Sequence, residues 1–69
     1  MDQPWPQDKL GRLRVIVERK ECNEIDGVLV DMFSASVILK VHDALNEENR
    51  ARFISLRIED MVDIALSLL

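Results

Sequence analysis

The chain carries a single cysteine, a single histidine, two glycines and no tyrosine, and each scarcity closes off a class of chemistry. Cys22 alone allows no intramolecular disulfide, and Cys22 with His42 falls short of the four ligands of a usual zinc site. Gly11 and Gly27 lie in unrelated stretches, so there is no glycine-rich loop to cradle a phosphate. No apolar run approaches the roughly 18 to 20 residues of a membrane span, and no membrane partner is expected. The first residues, with Asp2, Pro4, Trp5 and Pro6, lack the basic-then-apolar order of a signal peptide. An unpaired cysteine suits a reducing compartment, so the expected location is cytoplasmic.

What is present describes a folded chain: 48% of residues are hydrophobic and 32% charged, with the two kinds well mixed, which argues against disorder. At 69 residues one domain is expected, residues 9–69, preceded by an irregular arm over residues 1–8. A chain of this length buries only about 60% of the surface its unfolded form exposes. Small domains offset that with disulfides, a metal or self-association, and self-association is the aid left. The net charge of −4 is uneven. Residues 9–20 hold Lys9, Arg12, Arg14, Arg19 and Lys20 against Glu18, a net +4, whereas residues 21–69 stand at −6.

Periodicity predicts an α+β protein, with a small antiparallel hairpin or sheet over about residues 12–31 packed on three helices at about 34–46, 47–55 and 58–68. Leu13, Val15 and Val17 alternate with Arg12, Arg14 and Glu18, and the β-branched run Val15-Ile16-Val17 favours a strand. Ile16 breaks that alternation, and a helix over residues 7–22 would instead align Leu10, Leu13 and Val17. Asp26-Gly27, between Ile25 and Val28, is a favoured pair for a type I′ hairpin turn, with Val28-Leu29-Val30 as the following strand. Ser34 is the expected N-cap of the first C-terminal helix and Asn46 that of the second, where Glu47 and Glu48 suit the positive dipole end and Phe53 supplies an anchor. In the last helix Ile58, Met61, Val62, Ala65, Leu68 and Leu69 are expected to face inward, with Glu59, Asp60, Asp63 and Ser67 outward.

Ile38, Leu39, Ile64 and Leu66 widen the apolar faces of the first and last of these helices beyond the roughly 100° that one core contact needs. Sandwiching between neighbours would account for such width, and so would an interface. Aromatic residues are few, and Trp5 in the arm is either a lid on the core or an anchor for a partner. The candidate partner-binding residues are therefore Trp5, Leu39, Ile64, Leu66, Leu68 and Leu69.

The segments Ser34-Ala35-Ser36, His42-Asp43-Ala44-Leu45-Asn46, Asn49-Arg50 and Arg52-Phe53 follow a short strand after an Asp-Gly turn and precede a closing amphipathic helix. Over residues 27–69 this pattern resembles small uncharacterised proteins of actinobacteria and their phages. The resemblance implies a phage-related small protein and brings no activity with it. Where that pattern has Leu-Pro-Leu before the last helix, this chain has Leu56-Arg57-Ile58.

No arrangement of residues answers to catalysis or a cofactor. His42 has Leu39 and Asn46 as helix-face neighbours, neither of them a nucleophile, and reads as a histidine at the core edge. Cys22 lies between Glu21 and Glu24, whose charge works against a reactive thiolate. Glu24, Asp26 and Asp31 lack the frame of an EF-hand and read as turn residues. Glu59, Asp60 and Asp63 read as a solvated face near a helix start. The expectation is a non-catalytic interaction or regulatory protein, binding itself and a partner protein through apolar helix faces. The alternative is a dimeric nucleic-acid binder using Arg12, Arg14, Arg19 and Lys20. A strand followed by two helices is similar in outline to ribbon-helix-helix repressors, but Val28-Leu29-Val30 is flanked by Asp26 and Asp31, where such a reader needs polar and basic side chains. An acidic nucleic-acid mimic would need a larger excess than thirteen acids over nine bases.

Overall fold

A computed structural model describes residues 5–68; Leu69 lies outside the described residues. Four helices and one two-stranded antiparallel sheet follow in the order α1 (Lys9–Arg19), β1 (Asn23–Ile25), β2 (Val28–Val30), α2 (Met32–Ala44), α3 (Glu47–Ile54) and α4 (Ile58–Ser67). The α+β class expected from the sequence holds. The division into an N-terminal sheet and a C-terminal helical unit does not, because the first element is a helix.

Residues 12–18, expected as a strand, belong to α1. The strand reading treated Ile16 as an irregularity, yet Leu13 and Ile16 are fully buried, with Leu10 and Val17 half-buried beside them. Three β-branched residues in a row cost a helix only a few tenths of a kcal/mol each. Burying Leu13 and Ile16 contributes about 1.5–3 kcal/mol apiece, so packing decides the conformation. The helix is closed at both ends. The Asp8 carboxylate accepts from the Gly11 amide at 2.8 Å, and Lys20 turns left-handed at φ 57° while its amide and that of Glu21 donate to the Ile16 carbonyl.

The hairpin is as the sequence predicts. Asp26 and Gly27 both have positive φ, 53° and 77°, as a type I′ turn requires. The register pairs Ile25 with Val28, Glu24 with Leu29 and Asn23 with Val30. Ile25 and Val30 thereby face the core, and Glu24 and Leu29 face outward.

Helix α2 starts two residues earlier than expected, because its N-cap is Asp31 and not Ser34. The Asp31 carboxylate accepts from the Ser34 amide at 2.8 Å. A full negative charge at the positive end of the helix dipole outweighs a hydroxyl in the next turn. Asn46 caps α3 as anticipated, accepting from the Asn49 amide at 2.9 Å. Phe53 is buried. Helix α4 runs over the expected span, with Ile58, Met61 and Ala65 buried.

The core lies around α2, which contacts α1, α3 and α4, while β1 rests on α1. Leu13 and Ile16 of α1, Ile25 and Val30 of the sheet, Ala35 and Ile38 of α2, and Ile58 and Met61 of α4 form one cluster. Sandwiching thus explains the wide apolar face of α2: Ile38 is fully buried, and Leu39 and Val41 are half-buried against the cluster.

Candidate interaction surface

Six large apolar side chains remain exposed among the described residues: Leu29, Met32, Phe33, Ile64, Leu66 and Leu68. Ile64 and Leu68, four residues apart on α4, share one flank of the helix. Leu66 is rotated about 200° from Ile64 and occupies the opposite flank, so the apolar C-terminal run does not form one patch. Leu68, expected to face inward, is 66% exposed. It is the C-cap residue, one turn beyond buried Ala65.

Between α2 and α4 runs an open apolar groove of about 280 Å³, lined by Val37, Lys40, Val41, Ala44, Leu45, Ala65 and Leu68. Its α2 wall derives from Val37, Lys40, Val41 and Ala44, neighbours at spacings of three and four residues along the helix. Phe33, 60% exposed, lies one turn before Val37, toward the start of α2. The periodicity of α2 sets Val37, Val41, Ala44 and Leu45 on one apolar face opposite Lys40; in the structure Val37 is buried in the core while Ala44 is exposed and Lys40 stands beside them in the groove, and Phe33 was not anticipated as exposed. The spacing was visible, but nothing local shows which of two apolar stripes a neighbour will cover. Lys40 lines the groove and makes no hydrogen bond or ion pair among the described residues.

The other anticipated anchors are placed differently. Trp5 is half-buried against the core, with the Arg19 guanidinium 5.1 Å from its ring centre, in the cation–π range. Leu39 is half-buried against the core.

The four basic residues of the nucleic-acid alternative do not form one face. On a strand Arg12 and Arg14 would point the same way; on α1 they are about 200° apart. Arg12 is half-buried and donates to the Pro6 carbonyl at 2.9 Å, to Asn23 Oδ1 at 3.0 Å and to the Glu24 carbonyl at 3.1 Å, tying the arm and β1 to α1. Arg14 pairs with Asp43 at 3.3 Å, Arg19 covers Trp5, and Lys20 is the exposed left-handed residue that ends α1.

Two polar clusters hold elements together. In the first, Asp26 accepts from Lys9 at 3.0 Å and from the Ile58 amide at 2.9 Å. The N-cap of α4, Arg57, offers no side-chain cap of its own, so the hairpin turn caps a helix 32 residues away. Lys9 also donates to the Leu56 carbonyl. The Lys9 ammonium, followed by the Ile58 amide, holds the Asp26 carboxyl below its ordinary pKa. A polar cleft of about 350 Å³ beside it is lined by Gln7, Lys9, Arg12, Glu24, Ile25 and Asp26. In the second cluster, buried His42 meets Asp43 through Nδ1 at 3.1 Å. Arg50 donates to the carbonyls of His42 and Asp43 at 3.0 and 2.9 Å, satisfying the end of α2. Hydrogen bonding from His42, and then from Arg14, lowers the Asp43 pKa.

Cys22 is exposed. Among the described residues no group of three or more His, Cys, Asp or Glu side chains is disposed to hold a metal ion, and no helix is long and apolar enough to cross a membrane. The fold and its surface define a small α+β domain with an apolar groove between two helices. No family model, curated protein or solved structure matches the chain.

Proposed function

We propose that this chain is a small non-catalytic interaction protein that docks on a partner protein through the groove between α2 and α4 and the flank of α4 beside it. The observation that carries this reading is the groove itself: an apolar channel about 280 Å³ in volume with Leu68 in its lining, while exposed Ile64 lies one turn before Leu68 on α4 and exposed Phe33 one turn before Val37 on α2. Exposed apolar surface that a small domain could have closed over is characteristic of an interface. A regulatory role by docking accords with the polar clusters, whose charged groups are engaged in joining elements.

The test is capture from host lysate, nuclease-treated and untreated, with the tagged chain and with its Ile64→Glu/Leu68→Glu variant, read by mass spectrometry. A protein recovered by the native chain and lost with the variant supports docking at this face. Recovery that disappears on nuclease treatment, and weakens with Arg14→Ala/Lys20→Ala, overturns it in favour of nucleic acid.

A further inference from the structure

The lining of the groove is apolar except for one cation. Of the basic side chains described, Lys9, Arg14, Arg52 and Arg57 are in ion pairs, Arg12 and Arg50 are hydrogen-bonded to backbone carbonyls, and Arg19 lies over Trp5. Lys20, at the far end of α1, and Lys40 make no such contact among the described residues, and of these two only Lys40 lines the groove. An occupant matching this groove would present apolar side chains to its lining and a carboxylate within reach of Lys40.

The exposed flank of α4 has that composition. Asp60, Ile64 and Leu68 follow at intervals of four and so share a stripe. Ile64 and Leu68 are the exposed apolar members, and exposed Asp60 precedes them by one turn. From these two complementary surfaces on one molecule we infer that the groove is occupied by α4 of a second copy of this chain. The arrangement is a two-fold dimer in which Ile64 and Leu68 of each copy enter the other's groove and Lys40 meets Asp60 of the second copy. A two-fold axis makes every such contact twice, which matters for a chain whose own core is small. Each copy's net −4 opposes association, but at physiological salt charges beyond about 8 Å are largely screened, leaving contacts at the groove to decide. This inference rests on the docking reading above and names the partner as the chain itself.

The experiment uses the purified full chain, with no lysate, in sedimentation equilibrium from about 10 to 500 μM. The expected species has twice the 8.0 kDa chain mass. Leu68→Glu should raise the dissociation constant at least tenfold, since a truncated or charged apolar anchor at an interface centre typically costs that much. Lys40→Glu should raise it about tenfold, and Lys40→Glu/Asp60→Lys should recover most of the loss. All three positions are solvent-facing or line an open groove, so circular dichroism should show unchanged helix content. A native chain that stays monomeric at 500 μM overturns the inference. So does a dimer insensitive to Leu68→Glu and Lys40→Glu, which would place the contact elsewhere. A charge exchange that fails to recover association overturns the pairing of Lys40 with Asp60. A monomeric native chain that still captures a lysate protein through Ile64 and Leu68 would leave the docking reading standing while removing self-association.

Discussion

Asp26 serves three purposes with one side chain and one backbone. Its φ of 53° completes the hairpin turn, its carboxylate caps α4 through Ile58, and it pairs with Lys9. Asn tolerates left-handed φ nearly as well as Gly and keeps an acceptor oxygen, so Asp26→Asn isolates the charge. Urea denaturation should show a loss of about 0.5 kcal/mol, the scale of a partly exposed pair after solvent screening. Asp26→Ala adds left-handed strain and loss of the cap, and should cost about 2–3 kcal/mol. Equal midpoints for Asp26→Ala and Asp26→Asn would show that the cap contributes nothing.

The same residue sets a pH dependence. Asp26, Asp31 and Asp43 all have pKa values below the ordinary 3.8, through Lys9, the Ser34 amide and His42 respectively as leading causes. A carboxyl with a depressed folded pKa stabilises the fold fully above its unfolded pKa, and that contribution is lost as pH falls through the folded value. Thermal unfolding midpoints should therefore be insensitive to these groups near neutrality and fall below about pH 4. Asp26→Asn should flatten part of that fall; an unchanged acid limb would mean that Lys9 does not hold the carboxylate charged.

At the scale of elements, α1 depends on a close approach at Gly11. A Cβ there would stand 2.8 Å from Asp8 Oδ1 and 2.9 Å from the Pro6 ring. Neither neighbour is the far end of a long side chain, so the cap and the arm would have to move. Gly11→Ala gains up to about 1 kcal/mol of helix propensity and loses about as much from the Asp8 cap. Stability should change little while the emission of Trp5 shifts to longer wavelength as the arm lifts. A higher melting temperature with unchanged emission would show that Gly11 is not required for the close approach.

The corner between α2 and α3 is held by Arg50, whose guanidinium reaches two carbonyls at once. Arg50→Ala should cost about 1–3 kcal/mol, and Arg50→Lys should recover little of it, because an ammonium cannot reproduce the planar fork. Full recovery by Lys would reduce Arg50 to a point charge at the helix end. The segments His42-Asp43-Ala44-Leu45-Asn46 and Asn49-Arg50 were legible as a pattern in the sequence, and their physical content is this corner: Asn46 starts α3, Arg50 closes α2, and Asp43 receives Arg14 from α1.

At the scale of the whole molecule, four helices and a hairpin close around a core that leaves Ile64, Leu68 and Phe33 outside. If α4 of a second copy covers the groove, folding and association are linked by mass action. Raising the protein concentration a hundredfold should then raise the melting temperature by roughly 5–10 °C, since it stabilises the dimer by about 2.7 kcal/mol, or about 1.4 kcal/mol per chain, in a domain of this size. Leu68→Glu should remove the concentration dependence without lowering the dilute-limit midpoint.

The sequence by itself determined the features written within a few neighbouring residues. Asp26-Gly27 dictates a type I′ turn because both residues accept positive φ, Asn46 caps α3 because its oxygen reaches the Asn49 amide three residues on, and α4 follows from the spacing of Ile58, Met61 and Ala65. Only the tertiary structure decided the rest. Residues 12–18 satisfy strand and helix almost equally by propensity, and the choice falls to the burial of Ile16, which requires α2 and the sheet to be in place. The capping of Ile58 by Asp26, and the selection of Ile64 and Leu68 over Leu39 as exposed residues, likewise depend on contacts between segments far apart in the chain. Local chemistry fixes where an element turns or begins; which of its apolar faces is covered is an energy shared among elements, and no single segment contains it.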